Sequence, residues 1–258
     1  MTIELDVARR FSGVQRLYGE QGLQRLQAAH VLVIGIGGVG AWTVEALARN
    51  AVGKLTLVDL DNIAESNMNR QIHALEETLG KAKVTAMRER IAGINPVCKV
   101  VEVEDFVTPD NLVTVLQEKP DMVVDCMDDT KAKTALAAWC KQHDMPLVMV
   151  GSAGGKLDAT RLKLADLAHV QGDRMLAKIR NQLRRDHGFP KASDNKKSAK
   201  FGITAVFSDE PVEKPQEVCD SHAGLSGLHC AGYGSSICVT ATAGFVAAQQ
   251  AIHVIVTR

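Results

Sequence analysis

VLVIGIGGVG, residues Val31 to Gly40, followed by LVDLD at Leu57 to Asp61 and NRQ at Asn69 to Gln71, decides how this chain folds. The apolar run ending at Gly35 reads as a fully buried parallel strand. Gly35, Gly37 and Gly40, with Gly38 in the same loop, let the backbone turn tightly into a helix whose free N–H groups face an anion. A second strand, Lys54 to Leu60, carries Asp59 near its end, about 20 residues past the last glycine, where a carboxylate hydrogen-bonds ribose hydroxyls. Asp61, two residues on, belongs to the same nucleotide site.

On this fingerprint alone NAD would fit as well as ATP. The residues that follow change the ligand. Asn67, Arg70, Gln71, Lys81 and Lys83 come within two dozen positions, and a strand from Met122 to Cys126 runs into Asp128 and Asp129. Two cations and a carboxylate around a mononucleotide suit a triphosphate with a divalent metal better than a hydride carrier. The expected ligands are ATP and magnesium, not NAD, and the expected chemistry is adenylation.

Outward from this centre, strand and helix alternate: Val31–Gly35, Gly40–Asn50, Lys54–Asp59, Lys81–Asn95, Lys99–Val103, Pro109–Gln117, Met122–Cys126, Lys131–His143 and Leu147–Gly151. Alternation of this kind predicts an α/β, Rossmann-like doubly wound sheet, mainly parallel, with the nucleotide at the carboxyl ends of its strands. An amphipathic N-terminal helix bearing Leu17, Leu23 and Leu26 precedes it and is expected to rest on a neighbour or a partner subunit.

Past Gly151 the alternation stops. Residues 1–155 are read as the ATP-binding adenylation domain, and 156–258 as a smaller substrate-binding region of the same globular unit that completes the sheet. Thr160–Leu164 is a candidate strand. Lys178 to Lys200 holds eight Lys or Arg against two Asp and reads as a short helix followed by a basic loop. A glycine-rich turn, Gly224–Gly234, leads to a closing helix from about Ser235.

Composition bounds the function. With 258 residues, 46% of them apolar, the chain can bury a real core, and a formal net charge of zero means that any polyanion must meet a local patch. The charged N-terminus lacks a signal-peptide core, so a cytoplasmic protein is expected. Ile237–Val256 contains Gln249, Gln250 and His253 and reads as a buried helix, with membrane association a minor alternative.

No two of the six cysteines, at 98, 126, 140, 219, 230 and 238, are separated by only two residues, so the spacing offers no zinc knuckle or redox pair. Cys98, Cys126, Cys140 and Cys238 read as small buried hydrophobes, Cys219 and Cys230 as reachable thiols.

GIGGVG, LVDLDNIAESNMNRQ, the GKAK of Gly80 to Lys83 and DCMDD at Asp125 to Asp129 resemble the adenylating proteins of the ubiquitin-activating, MoeB and ThiF type. The N-terminal RRFSGVQRLYG, the HAL after NRQ and the DFVTPDN at Asp105 to Asn111 look closer to one branch, the bacterial dehydratases that cyclise threonylcarbamoyladenosine in tRNA. The resemblance implies that Gly37 and Gly40 admit the nucleotide and that Asp59 binds ribose. It implies that Asn67 and Arg70 contact the triphosphate, with Arg70 stabilising charge during attack at the α-phosphorus, and that Lys83 rather than Lys81 is the catalytic lysine. Asp128 would hold magnesium; Asp129 stands as the alternative ligand or as a helix N-cap.

Many such relatives reach an N-terminal arginine into a partner's site across a homodimer. Here Gly13 falls at that position, so Arg16, or failing it Arg10, is the candidate finger. Structural zinc is not expected. Arg180, Arg184, Arg185, Lys196 and Lys197 are the candidate contacts for tRNA phosphates. Cys230, beside His229, is a candidate for a covalent or sulfur-relay role and equally a bystander in a glycine turn. Two rival readings are activation of the C-terminus of a ubiquitin-like sulfur carrier, and a sulfur-accepting partner of a cysteine desulfurase.

Overall fold

The computed structural model describes residues 6–191, 199–212 and 233–258. Seven strands form one sheet: β1 (His30–Ile34), β2 (Lys54–Val58), β3 (Lys99–Val103), β4 (Met122–Asp125), β5 (Leu147–Val150), β6 (Leu162–Asp166) and β7 (Thr204–Ser208). The order is β3-β2-β1-β4-β5-β7-β6, and every pairing is parallel except β6 with β7. The order reverses between β1 and β4, which leaves a crevice at their carboxyl ends between the glycine turn and the DCMDD loop.

The helices are α1 (Val7–Arg10), α2 (Ser12–Ala28), α3 (Gly40–Arg49), α4 (Lys83–Ile94), α5 (Leu112–Val115), α6 (Thr130–Gln142), α7 (Arg174–Asp186) and α8 (Ile237–Thr257). Central strands β1, β4 and β5 are buried on both faces, which is why they read as unbroken apolar runs. One face carries α3, α4 and α8 around Val31, Val33, Leu57 and Val124; the other carries α6 and α7 around Leu32, Ile34, Val123 and Met149.

The 21-residue α8 has a mean hydropathy of 1.4 over its most apolar window and half of that window is buried in the fold. Ser236 caps it by accepting from Cys238 N. It lies on α3 at Gly244, where a β-carbon would stand 2.5 Å from Val39 O and 2.9 Å from Trp42 Cβ. Thr43 Oγ1 donates to Gly244 O at 3.1 Å. The closing helix therefore touches the backbone of the nucleotide turn itself.

Several expectations are corrected. The N-terminal helix, expected to rest on a neighbour or a partner subunit, kinks at Gly19 (φ 75°): Leu23 and Leu26 beyond the kink face the core, and Leu17 is 74% exposed. The helix expected over Pro109–Gln117 shrinks to α5, since the Asn111 side chain accepts from Thr108 N and donates to Phe106 O, holding the preceding residues as a turn. The strand expected over Thr160–Leu164 is β6, displaced by a 3-10 turn at Ala159–Arg161. Helix α7 is the short helix expected at the head of the basic segment and begins earlier, at Arg174: Leu176, Ile179 and Leu183 repeat at helical spacing and are buried, and Asp173 caps its start. Strand β7, between β5 and β6, was not expected. Cys238 is exposed, contrary to the reading of it as a core residue.

Candidate active site

The nucleotide turn is built by steric necessity at two glycines. Gly35 has φ +84°, and a β-carbon there would lie 2.9 Å from Cys126 O. A β-carbon on Gly40 would stand 1.8 Å from Gly35 O, so no other residue fits without moving the loop. No side chain caps the first turn of α3, which leaves its N-terminus facing the crevice.

Asp59 organises the floor of the site. Its Oδ2 accepts from Ile36 N at 2.6 Å and its Oδ1 from Asp61 N at 2.9 Å, so the acid at the end of β2 is bonded to the glycine turn. Lys83 Nζ, whose side chain is only 2% exposed, lies 2.7 Å from Asp61 Oδ2 and 3.7 Å from Asp59 Oδ1. Burial pushes the Asp59 carboxyl above its ordinary value, and the Lys83 charge pulls against that shift. Lys81, the other lysine of GKAK, turns away to Glu89 at 2.7 Å.

Asn67 is buried, and its Oδ1 accepts from Ala64 N at 3.0 Å, closing the turn from which Arg70 projects. Arg70 Nη1 donates to Ser66 O and Asn69 Oδ1, both at 2.8 Å, and the Arg70 carbonyl accepts from Trp42 Nε1 at 2.9 Å. Asn69 Nδ2 in turn donates to Ser235 O at 2.9 Å, joining this turn to the approach of α8. Gln71 and His73, a few residues on, are each 3% exposed, and neither side chain's polar atoms have a partner among the described residues.

At the far side of the crevice, Asp128 is exposed after β4. Asp129 caps α6 by accepting from Ala132 N at 2.7 Å, as one of its two readings anticipated. Among the described residues no group of three or more His, Cys, Asp or Glu side chains is arranged to hold a metal. A single carboxylate nevertheless suits magnesium, which takes one or two protein oxygens and fills the rest of its octahedron with phosphate and water.

The arrangement gathers Gly35, Gly37, Gly38, Gly40, Asp59, Asp61, Asn67, Arg70 and Lys83 on one side of the crevice and Asp128 on the other. A model of the ThiF family matches residues 9–258. The chain belongs to the ThiF family. It is 45% identical over 251 residues to the tRNA threonylcarbamoyladenosine dehydratase of Escherichia coli K12, spanning 95% of this chain and 92% of that protein. It is 44% identical to the protein of the same name from Haemophilus influenzae, again over 95% of this chain and 92% of the relative. The crystal structure of the E. coli enzyme with ATP superposes with a TM-score of 0.86 at 41% identity, covering 99% of this chain and 98% of that one.

Other expected residues of this ThiF-family chain lie outside the crevice. Arg16 is exposed on α2, whereas Arg10 donates to Ile94 O at 2.7 Å in its own chain. Arg180 donates to Val170 O, and Arg184 donates to Pro190 O at 3.1 Å with its guanidinium 5.4 Å from the Phe201 ring centre. These two cations, read from the sequence as candidate phosphate contacts, thus also make bonds within the fold. Arg185 pairs with Asp186 at 2.7 Å on the surface. Lys196, Lys197, Cys219 and Cys230 lie outside the described residues.

Sequence reasoning missed the buried pair of Asp125 and Lys133, 2.9 Å apart and both wholly inaccessible. A lysine in the apolar run of α6 was its only signal. It also missed Asn69 and Trp42, whose bonds hold the turn under Arg70.

Proposed function

We propose that this chain dehydrates threonylcarbamoyladenosine in tRNA, using ATP to turn a carboxylate oxygen into a leaving group. The observation that carries the reading is near full-length likeness to dehydratases of that name and to the ATP-bound structure of one, joined to a crevice lined by the glycine turn, Asp59, Arg70 and Lys83.

The chemistry has two steps. A threonyl carboxylate oxygen bonds to the α-phosphorus of ATP and pyrophosphate departs, giving an acyl adenylate. A nitrogen of the same substituent then bonds to the activated carbonyl, AMP leaves with the original carboxylate oxygen, and a proton is lost as the ring closes. Because nucleophile and carbonyl are tethered, no protein nucleophile is required. Asp59 orients the ribose and the open N-terminus of α3 faces the phosphates. Arg70 offers a fork of donors to the α-phosphate oxygens as charge builds on them, and Lys83 adds a point charge. Asp128 would hold magnesium, which when bound neutralises charge on the departing pyrophosphate.

Arg185 and Lys191, with Asn181 and Arg184, line a surface depression of about 360 Å³ beside α7, and this patch is the proposed contact for tRNA phosphates. Lys196 and Lys197 complete the charge of that segment in the sequence. The protein is proposed to be a cytoplasmic homodimer in which Arg16 of each protomer reaches the other's site. The 74% exposure of Leu17 beside it supplies an apolar contact for such a face.

The test is incubation with ATP, magnesium and tRNA carrying or lacking threonylcarbamoyladenosine, followed by mass analysis of the nucleosides. The expected result is loss of one water from the modified nucleoside only. An unchanged mass, with pyrophosphate release stimulated instead by a protein ending in Gly-Gly, would replace this reading with sulfur-carrier activation.

A further inference from the structure

We infer that Asp125 and Lys133 form an internal strut that fixes the backbone of the DCMDD loop and thereby sets where Asp128 presents its carboxylate. The inference rests on the proposed role of Asp128 toward magnesium and assigns a positioning role to two residues that touch neither metal nor nucleotide.

The ammonium of Lys133 has three protons and three acceptors: Asp125 Oδ1 at 2.9 Å, Met127 O at 3.0 Å and Asp125 O at 3.5 Å. Asp125 Oδ1 also accepts from Met127 N at 3.0 Å. The strut therefore holds both the N–H and the carbonyl of Met127. Cys126 N donates to Ile34 O at 2.8 Å, so the residue between them is tied to β1. On the other side of Asp128, Asp129 is locked to the first turn of α6. Asp128 thus stands exposed between two anchored neighbours.

Stability does not account for the pair. Both side chains are completely buried, and Asp125 Oδ2 has no partner among the described residues. Apolar side chains of similar volume generally serve a core as well as or better than a buried ion pair, and an unsatisfied buried oxygen adds cost. What an apolar pair cannot do is bind two backbone groups of one loop residue from beneath. Magnesium tolerates little distortion of its octahedron, so a ligand on a loop needs such support. The Gly35 contact makes the tolerance narrower: Cys126 O already lies 2.9 Å from the position of a Gly35 β-carbon, so the loop and the nucleotide turn are in register with each other.

The test is the magnesium dependence of ATP binding, measured by calorimetry, in the Asp125→Asn/Lys133→Met double variant, which removes both charges together and avoids stranding one. The midpoint magnesium concentration should rise at least tenfold, while ATP affinity in EDTA changes less than twofold and the melting temperature stays within a few degrees of the parent. Asp128→Asn should raise the midpoint similarly. A parental midpoint in the folded double variant, with Asp128→Asn shifted, would overturn the strut. A parental midpoint in Asp128→Asn would overturn the metal reading and the strut with it. Should the double variant not fold, hydrogen exchange in the native protein decides: Cys126 and Met127 amides should be equally protected with and without ATP and magnesium, and protection appearing only with ligand would refute a preset loop.

Discussion

The methylene stem of Arg70 lies 3.1 Å from the point where a β-carbon on Gly38 would stand. The third glycine of the turn is thus needed for the arginine that crosses it, while the turn's own conformation is set by Gly35 and Gly40. Gly38→Ala should leave the protein folded, because a flexible side chain can shift by a few tenths of an ångström. It should push the guanidinium off the phosphates, lowering kcat about tenfold, or about 1.4 kcal/mol, with little change in KM for ATP. Gly40→Ala, which collides with the Gly35 carbonyl, should instead abolish ATP-induced stabilisation in a thermal melt.

Lys83, proposed to add a point charge at the phosphates, is paired with Asp61 and Asp59 on the floor of the site. Lys83→Met should lower turnover by roughly 100-fold and also lower the melting temperature, since it leaves the buried Asp59 without its cation. Lys83→Arg should not restore activity, because a planar fork cannot occupy the pocket of a compact ammonium. Single-turnover pyrophosphate release with parallel melts separates the two effects.

His73 is buried beside Lys83 and Arg90, and burial with those two charges lowers its pKa to about 4. The unfolded chain, with an ordinary histidine pKa, binds this proton at higher pH than the folded one. Stability is therefore full above about pH 6.5 and declines as pH falls toward 4, by about 2 kcal/mol at pH 5 from this group alone. Urea unfolding at pH 7 and pH 5 should show a smaller difference for His73→Phe than for the parent.

The basic segment divides into structural and exposed cations. Arg185→Glu/Lys191→Glu should weaken tRNA binding at least tenfold and reduce its salt slope by about 2, with ATP binding intact. Arg180→Ala should mainly lower the melting temperature, because its guanidinium holds the Val170 carbonyl. Filter binding at several salt concentrations distinguishes them.

Cys238 is exposed, whereas burial pushes the Cys98 thiol up to about 11 and those of Cys126 and Cys140 up to about 12. Iodoacetamide at pH 8 should label Cys238 before these three, as read by peptide mass spectrometry.

Most of the nucleotide half was legible because its signals are local. A buried strand, a glycine turn and a strand-end acid each declare themselves within a few residues, and Asn67, Arg70 and Lys83 follow on one connected stretch. What escaped depends on partners distant in sequence. Strand β7 carries the apolar run Ala205–Phe207, but its place between β5 and β6 is decided by pairing partners more than 35 residues away. The cations of α7 read as contacts for tRNA phosphates; the bonds of Arg180 and Arg184 to Val170 and Pro190, and the approach of Arg184 to Phe201, depend on chain folded back from elsewhere. Cys238 read as buried because its neighbours are apolar; its place in the first turn of α8 leaves it outside.

The contact of Gly244 with Val39 and Trp42 has a bearing on synthesis. The strands and glycines of the nucleotide turn are translated within the first quarter of the chain, yet the surface of α3 that α8 covers stays bare until the ribosome has passed residue 257. A nascent chain halted at residue 155 would hold every residue assigned to ATP and magnesium but expose that apolar face.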